Sequence, residues 1–425
     1  MLLGCIADDF TGATDLAGEL ARAGLSAIQL NGVPDDDEKV EAADAVVVAL
    51  KSRTAPVAEA VAGSLAALRW LRARDANRIY FKVCSTFDST PQGNIGPVAD
   101  ALREALGDPL DLVTPAYPRN GRTVYKGHLF VGDVLLSDSP MRTHPLTPMT
   151  DANLVRVLGA QTPTRVGLLP IETVAGGVEA VRARLAQLAR DGCAHVVADA
   201  IDDAQLDVLG DALAGRSSGA EPLLATGGAG LAAGIARALR PQAQSWAGRR
   251  AGAWPHGPGV ILAGSCSAAT LVQIEQAKPR CEHLRLDPID LETRGDAAVV
   301  DAIDFATARL GRRPIMIYAS ASPEEVARAQ ARLGREHAAA LVESALRRIA
   351  IALASAGAQR FVIAGGETSG AVTDALGVRA LAIGPEIAPG VPWTRSADGK
   401  PIALALKSGN FGGPDFFTRA FELMP

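Results

Sequence analysis

The stretch LLGCIADDFTGATDLAGELARAG, residues 2–24, contains the pattern that decides the fold. Its first part, residues 2–7, is a short apolar run, and two adjacent aspartates, Asp8 and Asp9, follow it directly. Farther on, apolar residues recur every three or four positions, with Leu16 and Leu20 on one stripe, which is the helical period. The stretch therefore predicts a β-strand that ends in a polar turn and continues as a helix over residues 12–23.

The same order of strand, turn and helix recurs along the rest of the chain. Further strands are predicted at residues 45–50, 78–83, 110–114, 165–171, 195–200, 223–225, 260–263, 314–318, 360–364, 380–383 and 402–406. Helices are predicted between them, for example over residues 57–73, 177–190 and 323–356. Alternating strands and helices are typical of βαβ units, which build parallel sheets with helices on the sheet faces. The sequence therefore predicts an α/β fold.

Two domains are expected because 425 residues are too many for one ordinary hydrophobic core. The alternation breaks at residues 240–258, RPQAQSWAGRRAGAWPHGP, where Pro, Gly and Gln replace the periodic apolar residues. We therefore expect an N-terminal domain of residues 1–240, a linker of residues 241–258 and a C-terminal domain of residues 259–425. Each domain should contain a mainly parallel sheet flanked by helices, with the active site in the cleft between the domains. Residues 115–148 depart from the alternation and predict a β-hairpin followed by a long ordered loop.

The composition argues against several classes of protein. Hydrophobic residues make up 48% and charged residues 21% of the chain, which is ordinary for a soluble globular protein. The formal net charge of −5 argues against a nucleic acid or an anionic membrane as partner, although local arginines can still bind small anions. Five cysteines without a CxxC pair, no signal-peptide pattern and no long apolar run predict a cytoplasmic protein with free thiols.

Basic and hydroxyl side chains are concentrated in the turns after strands in the first half of the chain. Ligands of open α/β sheets bind beyond the carboxyl ends of the strands, so these turns are where a site is expected. Arginine suits a carboxylate, and Ser, Thr and Asn suit hydroxyl groups, so the set is typical of a site for a polyhydroxylated acid. Each residue alone is equally well explained as a cap or a turn residue. The basic residues are Lys51, Arg53, Lys82, Arg119, Arg122 and Lys126.

The first of these turns and the helix start after it carry three carboxylates. Asp8 and Asp9 stand at the strand end, where one can face a ligand while the other caps the helix. Thr11 and Asp15 lie four residues apart at the start of the helix and therefore share one face. Phosphatases of the haloacid-dehalogenase type also have an aspartate after the first strand, but in an Asp-x-Asp pattern that this turn lacks. A sugar-phosphate phosphatase is therefore kept only as an alternative.

Three glycine-rich turns follow strands of the second half: GSCSAAT at residues 264–270, GGETSG at 365–370 and KSGNFGG at 407–413. Such turns at helix N-termini present backbone N–H groups and a positive dipole to phosphate groups. Three of them at equivalent strand ends predict a nucleotide site in this domain. None matches GxxxxGK[ST] or GxGxxG, and the dispersed histidines, serines and cysteines show neither a metal nor a hydrolase pattern.

These motifs, taken together, resemble those of the four-carbon acid sugar kinases. The resemblance also includes FKVCSTFDSTPQGNIGP (81–97), PAYPRNGRTVYKGHLFVGD (115–133) and MRTHPLTPMTDANL (141–154), and it covers nearly the whole chain. It implies a sugar-binding N-terminal domain and a nucleotide-binding C-terminal domain, with ATP and Mg²⁺ as cofactors. The long motifs of the first half look more like the 3-oxo-tetronate kinase branch, in which the C4 hydroxyl of the acid is phosphorylated. A D-threonate or erythronate 4-kinase is the alternative within the family.

The resemblance also implies roles for individual residues. Those implied for ATP are Ser265, Gly365, Gly366, Glu367, Thr368, Gly409 and Asn410. Those implied for the sugar acid are Asp8, Asp9, Thr11, Gly12, Arg53, Lys82, Ser85, Arg119 and Asn120. From their place at the strand end, Asp15 and Asp9 are the candidates to orient or deprotonate the hydroxyl, and Glu367 is the candidate to hold Mg²⁺ through water. The expected partners are a small sugar acid and ATP, and a homodimer is left open.

Overall fold

The computed structural model describes residues 1–35, 40–76, 78–143, 147–214, 224–240 and 254–424. The chain divides into two compact units, Met1–Gly248 and Arg249–Pro425. Most of the linker predicted from the sequence, residues 241–253, lies outside the described residues. The predicted domain bounds and the predicted cleft location of the active site stay predictions.

The first unit contains one large all-parallel sheet and one small antiparallel sheet. Its strands are β1 (Leu3–Ala7), β2 (Ala27–Asn31), β3 (Ala45–Ala49), β4 (Ile79–Lys82), β5 (Asp111–Thr114), β6 (Arg122–Tyr125), β7 (His128–Val131), β8 (Val134–Leu135), β9 (Arg165–Leu169), β10 (Cys193–Ala198) and β11 (Leu224–Gly227). Its helices are α1 (Phe10–Arg22), α2 (Val57–Arg72), α3 (Ile95–Leu106), α4 (Leu154–Gly159), α5 (Ile171–Ala175), α6 (Val178–Arg190), α7 (Asp203–Ala214) and α8 (Ala229–Leu239). The parallel strands lie in the order β2-β3-β1-β4-β11-β5-β10-β9. Every residue of β1, β3 and β5 is buried, as expected for strands covered on both faces.

A small antiparallel sheet, β6-β7-β8, occupies the segment that departs from the alternation. The predicted hairpin is β6–β7, and β8 adds a short third strand to it. Asp199 ties the hairpin turn to the main sheet, because its carboxylate accepts hydrogen bonds from Lys126 N and Gly127 N, both at 2.8 Å. Residues 144–146 of the predicted loop lie outside the described residues.

The second unit has a mainly parallel sheet, so the predicted fold class is confirmed. Its strands are β12 (Gly259–Ala263), β13 (Glu282–Arg285), β14 (Ile315–Tyr318), β15 (Arg360–Ala364), β16 (Ala380–Ala388), β17 (Val391–Ser396) and β18 (Ala403–Lys407). Its helices are α9 (Ala268–Ala277), α10 (Pro288–Arg294), α11 (Asp296–Thr307), α12 (Pro323–Leu333), α13 (Arg335–Ser355), α14 (Gly366–Ala375) and α15 (Phe416–Glu422). The order is β13-β14-β12-β15-β18-β17-β16, in which β17 runs antiparallel to both of its neighbours.

The helix predicted over residues 323–356 is wrong as one element. The structure has two helices, α12 and α13, which meet at Gly334. Gly334 has φ +81° and ψ 152°, a backbone conformation that cannot continue a helix and that glycine adopts readily. The helical period continues on both sides of the glycine, and this is why the sequence pattern does not show the break.

Candidate active site

The carboxyl ends of β1, β3 and β4 bring the first group of predicted residues together. Ala7, the last residue of β1, pairs with Ala49 of β3 on one side and with Lys82 of β4 on the other. Beyond the strand, Asp8 N donates to Lys82 O at 3.1 Å, and Arg53 N donates to Asp8 O at 3.1 Å. The three turns are therefore joined through their backbones at one edge of the sheet.

Asp8 and Arg53 form a bidentate ion pair at this edge. Arg53 Nε lies 2.9 Å from Asp8 Oδ2 and Nη2 lies 2.7 Å from Oδ1, and Nη2 also lies 2.8 Å from Asp9 Oδ1. Burial raises the pKa of Asp8, while the guanidinium of Arg53 acts in the opposite direction. Asn94 holds the Arg53 turn in place, since its Nδ2 donates to Ser52 O at 2.6 Å. Arg53 is thus a fixed cation that two carboxylates already balance.

Asp9 is the N-cap of α1, where its Oδ1 accepts a hydrogen bond from Gly12 N at 2.9 Å. A Cβ atom at Gly12 would lie 2.2 Å from Asp9 Oδ1 and 3.2 Å from Lys82 Nζ. Only glycine therefore lets the cap and the lysine approach the start of the helix so closely. Thr11, next to it, has an exposed side chain.

Asp15 and Lys82 are close enough for their charges to interact. Lys82 is 2% exposed, and its Nζ donates to Val83 O at 2.8 Å. Burial raises the pKa of Asp15 to about 6; the charge of Lys82 lowers this pKa, whereas Glu19 and Asp9 raise it. At neutral pH the Asp15 carboxylate is therefore ionised but close to its titration, which is the state required of a general base.

Tyr117 and Glu19 belong to the cluster, although the sequence patterns did not identify them. Tyr117 Oη donates to Asp15 Oδ1 at 3.5 Å, and Arg119 Nη1 lies 3.1 Å from Glu19 Oε1. Two signals could have found them. Glu19 follows Asp15 by four residues on the same helix face, and Tyr117 lies in the motif that follows β5.

Ser85 and Asn120 complete the set of residues predicted for the sugar acid. Ser85 is half-buried and Asn120 is exposed, and no hydrogen bond within the described part of the chain joins either side chain to Asp8, Asp15 or Lys82. Two other basic residues of the turns have partners elsewhere. Lys126 pairs with Glu172, and Lys51 lies 5.1 Å from the centroid of the Phe10 ring.

The three glycine-rich turns of the second unit lie side by side. Gly264 N and Ser265 N donate to Ala364 O at 3.0 and 3.2 Å, and Gly365 N donates to Lys407 O at 2.9 Å. Gly409 approaches the first turn so closely that a Cβ atom there would lie 2.5 Å from Ser265 Oγ. The turns that follow β12, β15 and β18 therefore form one continuous surface.

Two helix N-termini flank this surface. Ser267 is the N-cap of α9 and accepts a hydrogen bond from Thr270 N at 3.2 Å, while α14 begins directly after Gly365, which has φ +124°. Helix N-termini carry partial positive charge and unpaired N–H groups, and both features favour phosphate. Of the residues implied for ATP, Thr368 is buried here, and Gly366, Glu367 and Asn410 are exposed at the same turns.

A cavity of about 280 Å³ within the second unit adjoins the first two glycine-rich turns. Gly264, Glu367 and Thr368 line one end of it. Small apolar side chains line the part between α10, α12 and α13, and these are Ile289, Val326, Ala329, Ala338 and Val342. An ion pair between Arg285 and Glu325, with 2.9 Å between Nη1 and Oε1, borders the cavity. An apolar slot beside a phosphate cradle suits a nucleoside polyphosphate.

The described residues contain neither a cluster of metal ligands nor a membrane-spanning helix. No group of three or more His, Cys, Asp or Glu side chains there has an arrangement that could hold a metal ion. In the same residues, none of the helices combines the length and the apolar character needed to cross a membrane.

Comparison with known proteins agrees with this division of chemistry. Residues 3–235 match the family described as sugar-binding N-terminal domain, and residues 260–417 match the family described as nucleotide-binding C-terminal domain. A protein of Cupriavidus necator named 3-oxo-tetronate kinase is 53% identical over 99% of this chain and 96% of its own length. A Pseudomonas fluorescens protein of the same name is 54% identical over the same shares of the two chains.

Among solved structures, a Haemophilus influenzae protein of the DUF1537 family has a TM-score of 0.88 at 42% identity and covers 99% of both chains. The matched families, the relatives and the structural neighbour all extend over both units. They confirm the resemblance that the sequence motifs indicate. The chain therefore belongs to the four-carbon acid sugar kinase family, in which a sugar-binding N-terminal domain is joined to a nucleotide-binding C-terminal domain.

Proposed function

We propose that this kinase transfers the γ-phosphoryl group of ATP to the C4 hydroxyl of 3-oxo-tetronate, which yields the 4-phosphate and ADP. The observation that carries the proposal is the 53–54% identity, over 99% of the chain, with relatives named 3-oxo-tetronate kinase. The two groups of strand-end residues support it, because one has the chemistry for a hydroxy acid and the other has the chemistry for phosphates.

The nucleotide would bind to the second unit. Its phosphates would lie on the turns that contain Ser265, Gly365, Gly366, Glu367, Thr368, Gly409 and Asn410. Its base and ribose would fill the 280 Å³ cavity, which opens onto two of these residues, Glu367 and Thr368. Mg²⁺ bound to ATP supplies neutralisation of the phosphate charge. Glu367 is suited to hold this ion, since its exposed carboxylate lies in the first turn of α14.

The sugar acid would bind to the first unit, against Asp8, Asp9, Thr11, Gly12, Arg53, Lys82, Ser85, Arg119 and Asn120. Lys82 supports this placement most strongly. An ammonium group has three donors, and within the described residues Lys82 Nζ donates one hydrogen bond, to Val83 O. Two donors thus remain for oxygens of the acid. Because the lysine is 2% exposed, such bonds would form away from bulk water and would be correspondingly strong.

Asp15 is the better candidate for the general base. Asp9 already caps α1 and pairs with Arg53, and both contacts use its Oδ1, so this oxygen is committed to the protein. Asp15 has a pKa raised to about 6 and one long hydrogen bond from Tyr117 at 3.5 Å. Its carboxylate would take the proton of the C4 hydroxyl as the oxygen attacks the γ-phosphorus, while Lys82 holds the acid in place.

The test is a coupled assay of ADP release with each acid in parallel. 3-Oxo-tetronate should give a kcat/KM at least tenfold above those of D-threonate and erythronate, a ratio that corresponds to about 1.4 kcal/mol of transition-state binding. A higher kcat/KM for threonate or erythronate would assign the alternative substrate. Release of phosphate from a sugar phosphate without ATP would instead make the protein a phosphatase, and saturable binding without turnover would make it a binding module.

A further inference from the structure

In the loop after β18, residues 408–413, the carbonyl groups of residues 408, 409 and 411–413 are turned toward buried donors. Gly409 O accepts hydrogen bonds from Ser267 Oγ at 2.7 Å, from Thr270 Oγ1 at 2.9 Å and from Lys407 Nζ at 2.8 Å. Lys407 Nζ also donates to Ser408 O at 3.1 Å. Lys407 is 1% exposed, so this ammonium lies beneath the loop and not beside it.

Gln273 is the buried donor for the last three carbonyl groups of the loop. Its Nε2 lies 3.0 Å from each of Phe411 O, Gly412 O and Gly413 O. The side chain is 1% exposed, and its Oε1 has no hydrogen-bond partner among the described residues. Three carbonyl acceptors around one nitrogen determine which way this amide points, because the opposite orientation would place four oxygens together.

The orientation of the carbonyl groups decides what the loop presents on its other side. Within a peptide unit the C=O and N–H bonds point in opposite directions. The inward carbonyls therefore leave the N–H groups of residues 409, 410, 412 and 413 on the outer side, whereas Phe411 N donates to Ser408 O within the loop at 3.2 Å. Neighbouring outward N–H groups form a concave site for anions. The ammonium of Lys407 adds a full positive charge behind these dipoles, close to the place where phosphate charge would lie.

We infer that Lys407 and Gln273 are positioning residues for the phosphates of ATP, which act by holding the carbonyls of residues 408, 409 and 411–413 away from the nucleotide. This inference rests on the proposed function and deepens it. Neither side chain touches ATP. Gln273 lies on α9, the helix that starts at the first glycine-rich turn, so it also fixes the third turn relative to the first.

Gln273→Met tests the inference, because it removes the amide donor and nearly keeps the side-chain volume. Gln276→Met is the matched control, since Gln276 is exposed on the same helix. We expect the KM for ATP to rise about tenfold in Gln273→Met, the ratio that corresponds to one hydrogen bond of ordinary strength. The KM for the sugar acid should stay unchanged, and Gln276→Met should match the wild type in both constants.

An unchanged KM for ATP in Gln273→Met, or a parallel rise of both KM values, would overturn the inference. If Gln273→Met does not fold, Thr270→Val and Thr270→Ser decide. Valine removes the donor to Gly409 O and should raise the KM for ATP, whereas serine keeps the hydroxyl and should restore it; equal constants would overturn the inference. If the wild type turns over none of the acids, the proposed function fails, and calorimetric binding of ATP to the same variants, without acid, still tests the inference.

Discussion

Asp15→Asn, studied as a function of pH, tests the acceptor site most directly. Burial raises the pKa of Asp15 to about 6, so the carboxylate is roughly 90% ionised at pH 7 and roughly 10% at pH 5. If it accepts the proton of the hydroxyl, kcat/KM for the sugar acid falls about tenfold per pH unit below pH 6. Asparagine removes the base at nearly constant volume and should lower kcat by about 10²- to 10⁴-fold, the contribution typical of a general base.

Two neighbours shift this pKa in opposite directions, and this makes the test specific. The charge of Lys82 lowers the pKa of Asp15, and the charge of Glu19 raises it. Lys82→Met should therefore move the acid limb of the rate profile to higher pH, and Glu19→Gln should move it to lower pH. The terminal phosphate of ATP also titrates near pH 6, but it is the same in every reaction, so a shift between variants belongs to the protein.

The assay is the initial rate of ADP release between pH 5 and 8 at saturating ATP, with thermal melting at each pH to verify the fold. Asp211→Asn is the control, because Asp211 is exposed on α7 and should keep the wild-type profile. Full kcat in Asp15→Asn would refute the role of Asp15. If the acid limb of the rate profile lies at the same pH in the wild type, in Lys82→Met and in Glu19→Gln, a group other than Asp15 is responsible for it.

Three further predictions concern the phosphate turns and the core. Gly409→Ala places a Cβ atom 2.5 Å from Ser265 Oγ and should raise the KM for ATP at least tenfold, while Gly370→Ala, whose Cβ meets no atom within 4 Å, should not. Burial lowers the pKa of Lys407 to about 8, so the KM for ATP should rise about two- to tenfold from pH 7 to 9, and Lys407→Met should abolish this dependence. Burial alone would lower the pKa of His195, but hydrogen bonds from its ring to the carboxylates of Asp100 and Asp111 raise this pKa to about 9. Protonated His195 therefore stabilises the folded state fully below pH 6.5, and this stabilisation is lost as pH rises through 9. The free energy of unfolding, measured with urea, should fall over this range by up to about 1.4 kcal/mol per pH unit, and His195→Gln should lack this slope.

The helices and strands that the sequence predicted are those whose hydrophobic periodicity is visible in the local sequence, without knowledge of the tertiary packing. β1 and α1 are an example, since an apolar run, a glycine turn and a helical stripe follow each other in 24 residues. β2 was not predicted, because Gln29 interrupts its apolar run; in the structure Gln29 is 1% exposed and Thr14 Oγ1 donates to its Oε1 at 2.8 Å. A polar residue satisfied by a distant partner has no local signature.

β13 and β17 were missed for related reasons. β13 has only four residues and alternates exposed with half-buried side chains. β17 contains Pro392, which normally argues against a central strand; the structure accommodates it where the register with β16 is irregular, opposite Glu386.

The candidate site was predictable as far as it lies in turns directly after strands. The polar residues of those turns could be named because open α/β sheets bind ligands there. Tyr117, Glu19 and Gln273 were not predicted, because their roles depend on partners about 100 to 140 residues away, such as Arg119 for Glu19 and Phe411 for Gln273. The spacing of Glu19 from Asp15 and the motif around Tyr117 could have marked these two residues, but their partners follow from the packing of whole elements.

The break at Gly334 has a consequence for nucleotide exchange. Among the helices that border the cavity, α10 and α12 each bury one side chain, Leu291 and Ala329, whereas α13 buries six. α12 is also joined to α13 through a single exposed glycine, so it is attached more weakly than α13. We therefore expect hydrogen exchange to be faster in α12 than in α13, and release of ADP to depend on the opening of this short helix while the sheet and the glycine-rich turns stay in place.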